Sequence, residues 1–246
     1  MPANMWDESG EAAADLTLSL HRVAAAPGEG EGSFRLLLET SRGQIPALFH
    51  PVEGGTSAVV CVGGAMGGLD GPGAGLYARL PKLLAGAGVT VLRLDYRVPN
   101  DFEECVLDVL AGCSFLRGIG AESVALVGHS FGAAVVIKAA ALSDLVRAVA
   151  SLSPQLHGTR EVETLGKPLL LVHGMQDGVL SHEASEDIYR RAREPKSMVL
   201  FAEAGHSLVQ AKDELDALLT EWLADRLQGL PMESGRVEAP AAHGPN

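Results

Sequence analysis

From residue 57 onward one alternation recurs along the chain: a short Val- and Leu-rich run, then a longer stretch of helix formers. The runs lie at 57–62, 89–94, 123–127, 146–152, 168–172 and 198–201, and the helical stretches at 76–86, 101–117, 133–142, 182–193 and 207–226. Each run is apolar throughout rather than at every second residue, which predicts strands buried on both faces. Alternating βα units joined by right-handed crossovers then give a parallel sheet between two helical layers, a three-layer α/β/α sandwich. Upstream, 34–40 and 44–49 flank Ser41-Arg42-Gly43, whose glycine can take the positive φ of a tight turn. That predicts an N-terminal antiparallel hairpin and a mostly parallel sheet of eight strands from Phe34 onward, with a further edge strand near 16–20. Asp101 with Glu104 three residues on is the start signal of the second helix. A chain of 246 residues, 47% of them hydrophobic, can bury one large core. One domain is expected over 15–227, between loose tails at 1–14 and 228–246, the second rich in Gly, Pro and Ala.

Charge and cysteine content exclude several classes of function. The net charge is −12, from 19 Lys and Arg against 31 Asp and Glu, and no basic cluster interrupts it. Nucleic acid and anionic membrane surfaces are therefore not expected partners. Cys61, Cys105 and Cys113 are odd in number and sit inside apolar segments, away from C-x-x-C spacing, so they read as reduced core residues and not as a disulfide framework or a zinc site. The first 15 residues are acidic, without the cationic start and apolar stretch of a signal peptide, and no run reaches the length of a membrane span. A cytoplasmic protein is expected, with its oligomeric state left open.

The chemistry-bearing segment is Gly128-His129-Ser130-Phe131-Gly132, entered from the apolar run 123–127 and left into a helix-forming stretch. G-x-S-x-G in a strand-to-helix context makes Ser130 a candidate nucleophile. A serine on so sharp a turn has strained backbone angles, and a Cβ two residues to either side would crowd it. The helix start leaves backbone N–H groups free around Phe131, a donor for a developing oxyanion. With 29 glycines in the chain the pattern alone is weak. Ser130 also needs a base and an acid to hold that base. Functional groups collect at the carboxyl ends of strands in an open α/β sheet, which selects His129, His173 and His206 from the eight histidines. His129 adjoins Ser130 and cannot easily fold back to its Oγ, and His173 closes a strand as a buried structural histidine. His206 lies in a glycine-softened loop between the last strand and the last helix and is the expected base. Asp177, four residues past a strand beside Gly178, is the expected acid, with Asp95 as second choice.

The order Ser130, Asp177, His206, each after a successive strand, resembles the α/β-hydrolase family over residues 34–227. The resemblance implies a nucleophile after the fifth strand, an acid after the seventh and a histidine after the eighth. It also implies a second oxyanion donor from the loop after the third strand. Here that loop reads Gly63-Gly64-Ala65-Met66-Gly67-Gly68, with Gly63 where the family usually has histidine. Because main-chain N–H groups do the work, Ala65 stands as the donor, with Met66 beside it. A nucleotide-binding reading of this glycine run fails on spacing. Only 153–167 separates the sixth strand from the seventh, too short for a helical cap. An open or shallow site is therefore expected, lined by Met66, Phe131, Leu156, Val179 and Leu208. This capless arrangement is similar to the dienelactone-hydrolase-like and small carboxylesterase or thioesterase branches, of which the first commonly carries cysteine where this chain has Ser130. Arg97 reads either as a structural ion-pair partner or as a contact for a substrate carboxylate. The expected activity is hydrolysis of a small-molecule carboxylic ester or thioester through an acyl-enzyme, with no metal or organic cofactor. Peptidase, amidase and acyltransferase activity on the same three residues, and a non-catalytic binding protein of this fold, are the alternatives.

Overall fold

The computed structural model describes residues 17–28, 30 and 32–239. The described residues form ten strands: β1 (Leu20–Pro27), β2 (Phe34–Thr40), β3 (Gly43–His50), β4 (Ser57–Val62), β5 (Val89–Leu94), β6 (Ser123–His129), β7 (Val146–Leu152), β8 (Leu169–Gly174), β9 (Lys196–Phe201) and β10 (Gly235–Ala239). All lie in one sheet, ordered β1-β2-β3-β5-β4-β6-β7-β8-β9-β10. Pairing is antiparallel from β1 to β5 and parallel from β5 to β10. The helices are α1 (Pro72–Leu84), α2 (Phe102–Gly118), α3 (Phe131–Leu142), α4 (Glu183–Arg191) and α5 (Lys212–Leu227).

The continuous apolar runs have the consequence their pattern predicts. Along β6, Val124 and Leu126 face a core shared with α2, α3 and α4, while Ala125 and Val127 face a second core under α1 and α5. β8 divides the same way, with Leu169 and Leu171 on one side and Leu170 and Val172 on the other. Side chains alternate between faces at every residue, so a strand covered on both faces is apolar along most of its length.

Two strands extend the sheet beyond the eight expected. The N-terminal edge strand runs over Leu20–Pro27 rather than near 16–20. The segment 235–239, expected to be a loose tail, is β10, in parallel register with β9 from Gly235↔Ser197 to Ala239↔Phe201. Without it, β9 would leave a row of unpaired N–H and C=O groups. Arg236 reinforces the pairing with an ion pair to Glu186 of α4 at 2.7 Å. β10 was illegible as a strand because it buries little: its one large apolar residue, Val237, is exposed. The expected tail at 1–14 lies outside the described residues.

Asp101 does cap α2, its carboxylate accepting the Glu104 N–H at 3.1 Å. The reciprocal half of a capping box is missing because the Glu104 side chain is drawn to Arg42 and Arg97. The arginine weighed above as a substrate contact is thereby committed to structure. Arg97 ion-pairs through Nε with the fully buried Asp108, its own N–H donates to the same carboxylate at 2.8 Å, and its Nη1 donates to the Arg42 carbonyl at 3.0 Å. Burial pushes the Asp108 carboxyl up to about 6, against the pull of these Arg97 contacts. Arg97→Met strands that carboxylate, so the variant should lose about 3–5 kcal/mol of stability near neutral pH, measured by urea unfolding. The loss should shrink as pH falls toward about 6, because burial without the pull of Arg97 makes Asp108 neutral already above that pH.

Candidate active site

In strand order, β5 lies on one side of β4 and β6 on the other, so the chain winds outward in both directions from the β4/β6 pair. After β4 the chain leads to α1 under one face, and after β6 it enters α3 on the other. Such a reversal opens a crevice at the carboxyl ends of the two strands, where open α/β sheets bind ligands. The loop 63–68 and Ser130 meet at this crevice.

Ser130 occupies φ 58°, ψ −116°, a left-handed conformation that a side chain rarely adopts. The flanking glycines make it tenable. A Cβ on Gly128 would overlap the Gly132 carbonyl, and one on Gly132 would overlap the Gly63 carbonyl. The two turns are thus in backbone contact, and a Cβ on Gly64 would lie only 3.6 Å from Ser130 Cβ. Two buried tyrosines hold the glycine loop from below, Tyr77 Oη donating to the Val62 carbonyl at 2.9 Å and Tyr96 Oη to the Gly63 carbonyl at 3.2 Å. Asp95, the second-choice acid, is used here instead: its Oδ1 accepts the Gly68 and Tyr96 N–H groups at 2.8 and 2.9 Å.

The structure brings Ser130, His206 and Asp177 together. His206 Nε2 is 3.0 Å from Ser130 Oγ, and His206 Nδ1 is 2.7 Å from Asp177 Oδ2. The Asp177 side chain is fully buried. Burial alone would raise its carboxyl, but N–H donors from Leu180, His206 and Val179 outweigh it and hold Asp177 below the usual carboxylate range. Both backbone donors meet Oδ1 at 2.8 Å. The loop bearing His206 is tied in turn to the start of α1, where Gly73 N–H donates to the Ser207 carbonyl at 2.6 Å.

Two histidines set aside on sequence grounds also belong to this cluster. His129 Nε2 donates to the His206 carbonyl at 3.0 Å, and its ring lies 4.9 Å from that of His206. Burial pushes His129 down to about 4, so it is a neutral donor that holds the loop. His173, buried as expected, is 3.0 Å from Asp177 Oδ2. The spacing His173-x-x-x-Asp177 was the available signal, and it carries no weight until the turn after β8 is known to fold back on itself.

The expected lining is partly corrected. Met66, Leu156 and Val179 are exposed on loops. Leu208 is not a wall residue: it is fully buried in the core beneath α5. The helix expected from Ser207 starts at Lys212, after a left-handed Leu208 (φ 55°) and a short 3-10 turn over Val209–Ala211. That turn sends Leu208 inward and leaves Val209 half exposed. The Phe131 ring is likewise buried, edge-on to Tyr96 and Phe102 at 6.1 and 6.0 Å, so only its backbone can serve the site. The three cysteines are buried, with Cys105 and Cys113 both pushed up to about 12 by burial, and no thiol lies in the cluster. Among the described residues no group of three or more His, Cys, Asp or Glu is gathered as a metal-binding set, and none of the helices is long and apolar enough to cross a membrane.

A mixed sheet with this order, antiparallel at its N-terminal end and covered by helices on both faces, is the α/β-hydrolase fold. The chain belongs to the dienelactone hydrolase family, whose model matches residues 95–225, and is an α/β-hydrolase enzyme. No match is found among curated proteins. Solved structures share the fold at low identity. A dienelactone hydrolase from Anabaena variabilis is 17% identical with a TM-score of 0.69, over 84% of this chain and 100% of its own. An alpha-beta serine hydrolase homologue from Coxiella burnetii is 22% identical with a TM-score of 0.66, over 77% and 96%. An esterase from Pyrococcus furiosus is 16% identical with a TM-score of 0.65, over 78% and 90%.

The contact between the two turns is open to test. Gly132→Ala must push apart the Gly63 carbonyl and Tyr96 Oη, both inside Cβ contact distance. The variant should lose about 1–3 kcal/mol in urea unfolding, and Ser130 should react more slowly with a fluorophosphonate than in wild type.

Proposed function

We propose that this protein is a serine hydrolase that cleaves a carboxylic ester or thioester through an acyl-enzyme on Ser130, with His206 as base and Asp177 as its acid partner. The observation that carries the reading is the unbroken hydrogen-bonded line from Ser130 Oγ through His206 to a buried, ionised Asp177, placed where the sheet's winding reverses. A serine hydroxyl is scarcely ionised near neutral pH, so attack requires a base already in contact with it.

His206 Nε2 takes the Oγ proton as Oγ bonds to the substrate carbonyl carbon, and the carbonyl oxygen becomes an oxyanion. Two main-chain donors serve that charge. Phe131 N–H belongs to the first residue of α3, where no intrahelical acceptor exists, and Ala65 N–H lies in the glycine loop against Ser130. Asp177 keeps Nδ1 protonated and stabilises the imidazolium. The imidazolium then returns its proton to the departing alkoxide or thiolate as the acyl bond to it breaks. A water, deprotonated by His206, attacks the acyl carbon, and the ester bond to Ser130 breaks as His206 returns that proton to Oγ, releasing a carboxylic acid. The family's name and the esterase among the structural neighbours favour an ester as the substrate bond.

Ser130→Ala should cut kcat by about 10⁴-fold or more in assays with short-chain acyl esters and leave the unfolding midpoint within a few degrees of wild type. In intact-mass analysis, a fluorophosphonate should add once to wild type and not to the variant. An unlabelled wild type, or an alanine variant with wild-type turnover, rejects the mechanism.

The base must enter the reaction without its proton. Asp177 is held ionised, and burial keeps His129 and His173 neutral. The profile of kcat/KM against pH should therefore fall on the acid side with a limiting slope of one proton, that of His206. A profile without an acid limb counts against His206 as base.

A further inference from the structure

His173 is fully buried at the end of β8, and its ring nitrogens face different partners. Nε2 lies 3.0 Å from Asp177 Oδ2 and 3.1 Å from the Leu180 carbonyl. A carboxylate and a carbonyl are both acceptors, so the proton sits on Nε2 and is shared between them. Nδ1 is then bare and accepts from Ser185 Oγ of α4 at 2.7 Å. Burial also keeps the ring neutral, against the pull of Asp177 and Leu180. Asp177 Oδ2 thus receives two imidazole N–H donors, from His206 and from His173, while Oδ1 receives two backbone donors.

We infer that His173 is a positioning residue for the reaction: its Nε2–H aims Asp177 Oδ2 at His206 and takes up part of the carboxylate's charge, with Ser185 setting the tautomer. The role rests on the serine-hydrolase reading above. It has two separable effects. The fixed carboxylate orients the His206 ring toward Ser130, which supports kcat. A shared negative charge also attracts the His206 proton less strongly, which keeps the base free at lower pH. The titratable groups facing His206 are Asp177 from the loop after β8, His129 from the turn after β6 and, across the carboxylate, His173 itself.

The test uses His173→Leu, His173→Gln and Ser185→Ala in the full chain, with kcat, KM and the acid limb of kcat/KM measured on one acyl ester. His173→Leu should lower kcat by roughly 10- to 100-fold, as the loss of partners behind a ligating histidine does at metal sites. KM should change little, because His173 has no exposed atom to meet substrate. The acid limb should move up by about half a pH unit, the equivalent of one modest hydrogen bond. His173→Gln can donate from its amide and should recover much of both effects. Ser185→Ala should show a smaller, several-fold loss of kcat and decides the matter should the leucine variant not fold. A merely packing role predicts lost stability, no movement of the acid limb and no advantage of glutamine over leucine. That result, or wild-type kcat and limb in a folded His173→Leu or Ser185→Ala, overturns the inference. Fluorophosphonate labelling separates the two levels. A wild type that takes no adduct rejects the serine-hydrolase reading and this role with it, whereas a labelled wild type with unaffected variants rejects the role alone.

Discussion

The site is organised around a carboxylate that water cannot reach. An ionised group in the interior costs several kcal/mol unless hydrogen bonds replace its hydration, and Asp177 recovers that cost through four donors. The four donors impose three constraints on the chain. The Val179 and Leu180 N–H groups fold the loop after β8 back over the carboxylate, so the loop's path and the charge stabilise each other. His173 anchors the same oxygen to the end of β8 and, through Ser185, to the first turn of α4. His206 extends the network to the loop after β9, which His129 and Gly73 hold from the other side. Removing the charge would therefore loosen the loops after β8 and β9 together.

A second constraint is steric. The turn bearing Ser130 and the glycine loop after β4 touch backbone to backbone, and neither Gly63 nor Gly132 has room for a Cβ. Close approach of this kind cannot be built with side chains between the strands, which is the physical content of the glycine pattern on both sides of the crevice. Tyr96 sits in the seam, donating to the Gly63 carbonyl and packing on the Phe131 ring, so that one buried side chain sets the height of both turns.

Much of this was legible in the sequence. Strands buried on both faces announce themselves by unbroken Val and Leu, and β2, β4, β5 and β7 run over the predicted residues because nothing local competes with that signal. Ser130, Asp177 and His206 could be selected because strand ends and chain order restrict the choice, and the structure places them in hydrogen-bonded contact. What stayed hidden depended on long-range pairing or on single backbone angles. β10 buries almost nothing, so only the open edge of β9 gives it a reason to form. The left-handed Leu208 delays α5 and turns Leu208 into the core, which helical periodicity cannot foresee. Asp95 and Asp177 look alike in sequence, each just past a strand. They part only when Asp95 is seen to be occupied by the Gly68 N–H.

The serine at position 130 gives these buried hydrogen bonds a chemical motive. A cysteine at such a turn is partly ionised near neutral pH and needs little help to attack, whereas a serine hydroxyl must surrender its proton during the attack itself. On the proposed mechanism His206 takes that proton on Nε2, and the charge on Asp177 stabilises the imidazolium that results. An exposed aspartate would be screened by water and would turn freely, so its pull on the imidazole would be weak and poorly aimed. Burying Asp177 strengthens the pull, and the donors on its two oxygens keep it ionised and in one orientation. The same donors share its charge, so they also limit how firmly His206 can hold a proton between turnovers. A base that must release its proton to the leaving group in every cycle is best served by that compromise, which places the balance of the chemistry in residues that no substrate touches.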